Sequence, residues 1–323
     1  MEETSLQVEY LQGIHVVDTI LWLDAPRRAD LCYLSSARLS RPVPHGKVLV
    51  SEPTARLAAR FLSDGQTLIC PFGQRFSLGG LDLTPFPSGH LLGAGQLLVR
   101  RGQSSLAYTG RFDLRQGRAR EAGRVLACDV LIAHAELDLD LPGQAEEEAR
   151  LAAWLAEALS SRAQPILFCD PLGMAQELIQ LCGQLQLRCR VHRSIYSFCK
   201  KYKELGFDLG AARLFSSGPS PGEVCIMPAH LADSQTLRRL ERPRPALVDS
   251  RPATAKLAGL ERFALSCDAD RRGLQQYAEE SGAGRIYLVG PAASRAAEAL
   301  RRQGHRAWAL LPPQQIDLPL LAS

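Results

Sequence analysis

Short apolar runs, separated by glycine, proline and charged turns, fill the first 130 residues of the chain. The runs are, in order, IHVVDTILWL, ADLCYLS, GKVLVS, QTLICP, LDLTPF, GQLLVRRG, SSLAYTG and CDVLIAH. Apolar runs of this length bounded by turn residues predict β-strands. One early segment, SEPTARLAARFL, instead spaces its apolar residues as a helix does. The pattern therefore predicts a mostly β layer, either a sandwich or a mixed sheet.

The pattern changes from about residue 145, where helical and strand-like segments begin to alternate. The helical segments are EEEARLAAWLAEALSSR, GMAQELIQLCGQL and SIYSFCKKYKEL, and the strand-like ones are PILFCD, RCRVH, LGAARLFS and GEVCIMP. Strands that alternate with helices are typical of a parallel sheet. We therefore expect a small parallel-sheet lobe in the middle of the chain.

A segment rich in arginine and proline, RRLERPRPALVDSRPATAKL, follows this lobe. It predicts an irregular connection and a lobe boundary near residue 250. Beyond it, the segments RRGLQQYAEESG and AASRAAEALRRQG have helical spacing, and RIYLVG and RAWALL are strand-like. This last part of the chain is expected to complete an α/β layer.

Composition narrows the class of protein without naming a function. The chain has 323 residues with 46% hydrophobic and 22% charged residues, and its formal net charge is +4. It contains no apolar run of membrane-spanning length, and its first residues lack the features of a signal peptide, so we expect a cytoplasmic protein. The nine scattered cysteines predict buried free thiols rather than disulfides. The mild positive charge permits binding to a polyanion but does not establish it.

The sharpest local feature is PFPSGHLLGAGQLLV, followed closely by SSLAYTGRFD. His90 lies there on a glycine-bounded turn between two predicted strands. Loops at the ends of strands often carry ligands or catalytic groups. Two interpretations stay open from the residues alone, namely a functional histidine and a histidine that merely satisfies the turn.

Taken together, SGHLLGAG and YTGRFD resemble the metallo-β-lactamase fold nucleases of the β-CASP group, particularly the short bacterial ligase-associated exonucleases. In that family the first segment supplies a metal-binding histidine and the second a bridging aspartate. Further matches are GIHVVDTILWLDAPRR, ILFCDPLGMAQEL, FALSCDADRRGL and GRIYLVG, so the resemblance spans nearly the whole chain. It implies an α/β fold, a metallo-β-lactamase αββα sandwich with an inserted β-CASP α/β lobe. The implied core is 1–145 and 253–323, and the implied lobe is 146–252.

The departures from the family pattern concern the metal ligands. The segment LSSARLSRP stands where the family has three histidines and an aspartate, and an arginine replaces the bridging aspartate of YTGRFD. The positions that the resemblance aligns with metal-site residues are Ser36, Arg38, Ser40, Arg41, His90, Arg111, His134, Asp268 and Gly290. Of these, His90 alone keeps the family's residue type.

A hydrolytic zinc site needs at least three protein ligands and one open position for water. His90 alone does not meet this need, so we expect no catalytic residue, no metal and no cofactor. Arginines are expected to fill the former metal cavity and to pair with Asp268 and Asp270. The alternative is a rearranged zinc or manganese site that keeps His90 and Asp268, with His134, Glu136 or Asp113 as further ligands.

A basic helical segment, HRSIYSFCKKYKELG, is the strongest candidate for nucleic-acid contact. Its cations would contact phosphates, while Tyr196 and Tyr202 would stack on bases. The candidate cations are Arg193, Lys200, Lys201 and Lys203. The alternative is a solvated helix face whose aromatic side chains pack inward.

Three functional hypotheses follow from these observations. The first is a catalytically inactive paralogue of a β-CASP nuclease, which serves DNA repair or RNA processing as a nucleic-acid-associated or structural subunit. Its partner would be an active homologous nuclease or another repair or processing protein. The second is a divergent metal-dependent DNA or RNA exonuclease or phosphodiesterase with a rearranged site around His90. The third is a protein interaction scaffold that does not bind nucleic acid.

Overall fold

A computed structural model describes residues 6–11, 13–39, 41–62, 67–210, 212–215, 222–232, 240–251 and 259–312. Within these ranges the chain forms three β-sheets and six α-helices, which confirms the predicted mixed α/β class. No helix in them is long and apolar enough to cross a membrane. All nine cysteines are free thiols and eight of them are buried, as predicted.

The first sheet has six strands in sequential order, β1 to β6. Strands β1 to β3 pair antiparallel, and β3 to β6 pair parallel. The bounds are β1 Val8–Tyr10, β2 Ile14–Val16, β3 Leu21–Leu23, β4 Leu31–Tyr33, β5 Lys47–Val50 and β6 Thr67–Ile69.

The second sheet has seven strands in the order β19-β18-β11-β10-β9-β8-β7. An antiparallel meander, β7 to β10, continues into a parallel half made of β10, β11, β18 and β19. The bounds are β7 Phe76–Leu78, β8 Leu81–Pro87, β9 Gly95–Arg101, β10 Ser104–Tyr108, β11 Val130–His134, β18 Arg285–Val289 and β19 Ala307–Ala309.

These two sheets pack face to face through one buried apolar cluster. Leu23 and Tyr33 of the first sheet belong to it together with Leu97 and Ile132 of the second. Alternate side chains of each strand point to this shared face, and β4, β9 and β11 are buried on their other face as well. The apolar runs of the first 130 residues therefore form two packed sheets, as predicted.

Six α-helices surround the sheets. They are α1 Glu52–Leu57, α2 Gln144–Ser160, α3 Met174–Gln184, α4 Arg193–Glu204, α5 Arg271–Glu280 and α6 Ala293–Arg302. Helices α5 and α6 cover the outer face of the second sheet, where Tyr277 and Leu300 join Leu131 and Leu288 in one cluster. Ala55 of α1 packs against the outer side of the first sheet.

The third sheet has six strands, all parallel, in the order β14-β13-β15-β12-β16-β17. Its bounds are β12 Gln164–Cys169, β13 Arg188–Val191, β14 Ala212–Leu214, β15 Glu223–Pro228, β16 Pro243–Val248 and β17 Glu261–Phe263. The parallel sheet predicted for the middle of the chain is thereby confirmed, and we refer to it with its helices as the lobe.

One prediction for this region is wrong. The segment read as an irregular connection contains β16, which lies between β12 and β17. Pro243 and Pro245 are tolerated because β17 pairs with β16 only from Ala246 onward, so the proline-bearing half has one neighbour. Strand β17 also lies in this sheet, although the implied boundary at residue 253 assigned it to the core.

The lobe and the core share an apolar cluster. Leu57 of α1 and Leu91 of the loop after β8 belong to the same cluster as Leu178 and Ile226 of the lobe. Lys201 of α4 adds a polar contact, because its Nζ donates to the carbonyl oxygens of Arg56 (2.8 Å) and Leu57 (3.3 Å) at the end of α1. The lobe is thus packed directly against the loop that carries His90.

That loop, residues 88–94, is shaped by glycine. Gly89 has a φ of +80°, and a Cβ there would collide with the Asp113 carbonyl oxygen and lie 2.7 Å from the Gly123 nitrogen. The Ser88 amide closes the loop by donating to the Ala94 carbonyl at 2.8 Å. Only a residue without a Cβ fits this close backbone approach.

We expect Gly89→Ala to lower the free energy of unfolding by about 3 to 4 kcal/mol, the sum of left-handed strain and the steric overlap. Gly102 is a matched control because its φ is +58° and an added Cβ there would meet nothing within 4 Å. Gly102→Ala should cost about 1 kcal/mol from backbone strain alone. Urea denaturation measures both, and equal losses would show that the close approach at Gly89 is not the constraint.

Candidate functional site

A cavity of about 470 Å³ brings together residues from segments that are far apart in the sequence. Six of the nine aligned positions line it, namely Ser36, Arg38, Arg41, Arg111, His134 and Gly290. They lie after strands β4, β10 and β18 and at the end of β11. The carboxyl ends of these strands, from both packed sheets, therefore border the same cavity. Ser40 lies outside the described residues.

The remaining two positions, His90 and Asp268, lie behind Arg111. The Arg111 guanidinium donates two parallel hydrogen bonds to the Asp268 carboxylate, from Nε to Oδ1 at 2.8 Å and from Nη2 to Oδ2 at 2.6 Å. It also lies 3.1 Å from Glu136, whose other oxygen is 3.2 Å from the His134 ring. A guanidinium therefore joins the side chains that the alternative hypothesis assigned to a metal.

The predicted pairing of an arginine with Asp268 is confirmed, but the pairing with Asp270 is wrong. Asp270 caps α5 by accepting from the Gly273 amide at 2.9 Å, and it also accepts from the Leu141 amide at 3.1 Å. An aspartate directly before a helix is a strong N-cap, so the local helix start decides its role.

Asp268 is held in its charged form. Burial raises the pKa of this carboxyl, but the His90 ring and the Arg111 guanidinium outweigh burial and hold the pKa well below its ordinary value of 3.8. Its side chain is only 9% exposed, so the ion pair is screened little by solvent. Bidentate, charge-assisted hydrogen bonds of this kind are stronger than hydrogen bonds between neutral groups.

His90 is fully buried and neutral, because burial lowers the pKa of its imidazole. Its Nδ1 lies 3.0 Å from the Cys267 carbonyl oxygen, which can only accept, so Nδ1 carries the proton. The same nitrogen is 3.1 Å from Asp268 Oδ1. The other nitrogen, Nε2, has no hydrogen-bond partner among the described residues.

These residues do not fit a divalent cation. Both oxygens of Asp268 accept from Arg111, and the positive guanidinium adjoins Glu136 as well. Across the described ranges, no group of three or more His, Cys, Asp or Glu side chains is arranged to hold a metal ion. The carboxylates at this place are paired with an arginine side chain.

A second cluster of charged residues, Asp113, Arg115 and Arg120, contacts the backbone of the His90 loop. Its two arginines were not predicted from the sequence. Arg120 donates to the His90 carbonyl at 3.1 Å and to Asp113 at 2.9 Å. Arg115 also pairs with Asp113 at 2.9 Å and donates to the Asp268 backbone oxygen at 2.7 Å. Asp113 is therefore committed to two arginines. The arginine-rich run RFDLRQGRAR was the available signal.

Arg38 connects the cavity to the lobe. It pairs with Asp170 at the end of β12 and lies 3.4 Å from the Leu172 carbonyl oxygen. Arg251 also contacts Asp170 at 2.8 Å and pairs with Asp249 at 2.8 Å. No motif pointed to these lobe residues, because the contact joins positions 132 residues apart.

The candidate cations of α4 differ in their surroundings. Arg193, Lys200 and Lys203 are exposed, whereas the Lys201 ammonium is engaged with the end of α1. The suggested stacking of Tyr202 on a base is wrong, because Tyr202 is fully buried in the lobe cluster. The other tyrosine, Tyr196, is half-buried and has the Lys200 ammonium 5.1 Å from its ring centre.

Two known proteins resemble this chain. It is 27% identical over 326 residues to a probable DNA ligase of Opitutus terrae, an alignment that covers 98% of this chain and 32% of the ligase. It is 28% identical over 117 residues to the endoribonuclease ysh1 of Aspergillus fumigatus, covering 35% of this chain and 13% of that protein. The chain thus spans about a third of the first relative and about an eighth of the second. No protein-family model matches it.

Arg111→Gln should lower the free energy of unfolding at pH 7 by about 3 to 5 kcal/mol, because it leaves the buried Asp268 carboxylate unpaired. The stabilisation from Asp268 is fully present above its unfolded pKa of about 4 and is lost as the pH falls from there through the folded pKa, which is well below 3.8. The stability difference between wild type and variant should therefore shrink on acidification. Urea denaturation at pH 7 and at progressively lower pH measures this.

The control is the exposed pair of Arg75 with Asp82, where Arg75 is 63% exposed. Arg75→Gln should leave the free energy of unfolding nearly unchanged, because solvent screens this exposed pair. If Arg111→Gln costs as little as this control, Arg111 does not have the structural role inferred from its contacts.

Proposed function

We propose that this chain is a metallo-β-lactamase-like domain with an inserted β-CASP-like lobe, and that it binds nucleic acid without hydrolysing it. Two packed sheets with helices on their outer faces, interrupted by an all-parallel sheet, support the fold. The observation that carries the loss of catalysis is the Arg111 guanidinium paired with Asp268 and Glu136. A guanidinium has no open coordination position and does not acidify water as a metal does.

The comparisons support nucleic acid as the class of partner. One relative is named for joining DNA and the other for cleaving RNA. The alignment with the ligase takes in 98% of this chain, so a comparable stretch occurs within a single ligase polypeptide. We propose that the chain acts on DNA beside a ligase, holding a strand or a strand end during end joining. A cytoplasmic location stays a prediction.

The two other hypotheses are less well supported. A rearranged metal site needs Asp268, Glu136 and His134 to be free for a cation, and each of them has a partner. A scaffold without nucleic acid leaves unexplained why Arg41 lines the cavity with no carboxylate partner among the described residues. An interaction with a protein partner is compatible with the proposal, since a ligase is itself such a partner.

We expect purified protein, loaded with zinc or manganese and then dialysed, to retain less than one ion per chain by elemental analysis. It should show no cleavage of labelled single- or double-stranded DNA or RNA above a blank. It should nevertheless bind DNA with an affinity that falls as salt rises, because phosphate contacts release counterions.

His90→Ala is the matched control for any residual cleavage, since a contaminant would not respond to it. One tightly held ion per chain, or cleavage that His90→Ala abolishes, would overturn the non-catalytic assignment. Salt-independent or undetectable DNA binding would overturn the nucleic-acid assignment. Added protein should also raise the rate at which a DNA ligase seals a nicked duplex.

Exposed cations of α4 should contribute to this DNA binding. Lys200→Gln combined with Lys203→Gln should weaken binding similarly for all sequences and reduce the slope of log affinity against log salt by about one to two. Lys201→Gln is the control within the same helix, because its ammonium is bound to the end of α1. It should leave the salt slope unchanged and lower stability by about 1 kcal/mol. A double variant with the wild-type slope would remove α4 from the interface.

A further inference from the structure

The cavity presents guanidinium groups whose hydrogen-bonding capacity is not used up. Arg41 makes one hydrogen bond to another described residue, to the Pro26 carbonyl at 3.0 Å, and has no carboxylate partner among the described residues. Arg38 and Arg111 are anchored through Nη2, and Arg111 also through Nε, so Nη1 of each has no partner in the described part of the chain. All three arginines line the cavity.

A buried histidine adds a neutral donor to the same wall. His45 is 2% exposed and lines the cavity. The Ala29 amide donates to its Nδ1 at 3.3 Å, so in the neutral ring the proton is on Nε2. Burial lowers the pKa of His45 and thus favours this neutral form. Its Nε2–H has no acceptor among the described residues.

The cavity lining contains few acidic groups. Among the described residues that line the cavity, Asp24 is the one acidic residue. Its carboxylate already accepts from the Ser35 amide at 2.8 Å, from the Ser35 hydroxyl and from the Tyr108 hydroxyl at 2.7 Å. The carboxylates that anchor Arg38 and Arg111 are not part of the lining. Arg38 and Arg111 therefore offer hydrogen-bond donors whose charge is already compensated, and Arg41 is the cation of the lining without a carboxylate partner among the described residues.

The rest of the wall is apolar and partly aromatic. Besides Tyr10 and Phe61, its side chains include Ile14, Leu34, Leu39, Leu62, Val289 and Leu310. The volume of about 470 Å³ is within the usual range for a small-molecule pocket and far exceeds what a free phosphate ion fills. A ligand with one anionic end and one flat apolar end matches both walls.

We propose that the cavity binds a terminal nucleotide, with its phosphate on Arg41 and His45 and its base against the apolar wall near Phe61. Guanidinium groups suit this role because their planar donors match phosphate oxygens in pairs. As a claim about the end of a DNA strand, this rests on the proposed function. The pocket for a single nucleotide can be tested without it.

Isothermal titration calorimetry of the whole chain with thymidine 5′-monophosphate, thymidine and inorganic phosphate tests the proposal. We expect the monophosphate to bind at least tenfold more tightly than either of the other two, since only it fills both walls. Arg41→Gln should reduce its affinity at least fivefold. Arg302→Gln should leave the affinity unchanged, because Arg302 is an exposed residue of α6 paired with Glu298.

Each other outcome overturns the proposal. Thymidine binding as tightly as its monophosphate would remove the phosphate site, and inorganic phosphate binding as tightly would leave only a general anion site. An effect of Arg302→Gln equal to that of Arg41→Gln would assign the affinity to overall charge. DNA binding without any binding of the monophosphate would leave the proposed function standing and refute this pocket, so the two failures are distinguishable.

Discussion

The bidentate pair of Arg111 with Asp268 is the contact around which the site is organised. Its partners come from segments 157 residues apart, one after β10 and one after β17. Removing two charges from water costs several kcal/mol for each ion, and only good geometry with further hydrogen bonds offsets that cost. Those further bonds are present: Glu136 contacts the guanidinium, and the His90 ring contacts the carboxylate.

Neighbouring contacts depend on this pair. Arg115 donates to the Asp268 backbone oxygen, and Arg120 donates to the His90 carbonyl while both share Asp113. The close backbone approach at Gly89 places the loop that carries His90 against the backbone of Asp113 and Gly123. Ion pairs and hydrogen bonds thus link these distant segments of the chain.

These paired arginines decide what the cavity can do chemically. A guanidinium donates hydrogen bonds and carries charge, so it can bind a phosphate group, but it offers no position where water becomes a nucleophile. The lobe is joined to the same cavity through Arg38 and Asp170, while Leu57 and Leu91 share its apolar cluster. A ligand in the cavity would therefore contact residues of the core that are tied directly to the lobe.

Local sequence patterns were sufficient for many elements. Most β-strands of the first 130 residues and the alternation of PILFCD with GMAQELIQLCGQL were predictable from the spacing of apolar residues. Strands β1 and β7 were not among the predicted runs. The grouping of Ser36, Arg38, Arg111 and Gly290 around one place came from motif resemblance, and the cavity contains all four.

Other features were decided by tertiary structure alone. Strand β16 was not predicted because prolines are unfavourable within strands. In the fold it pairs with the buried strand β12. Lys201 bonds to the end of α1, Tyr202 is buried, and Arg111 pairs with Asp268 and not with Asp270. Nothing in the neighbouring sequence of these residues indicates these contacts. Such contacts depend on distances between segments far apart in the chain, so the sequence determined which residues were available and the fold decided which of them meet.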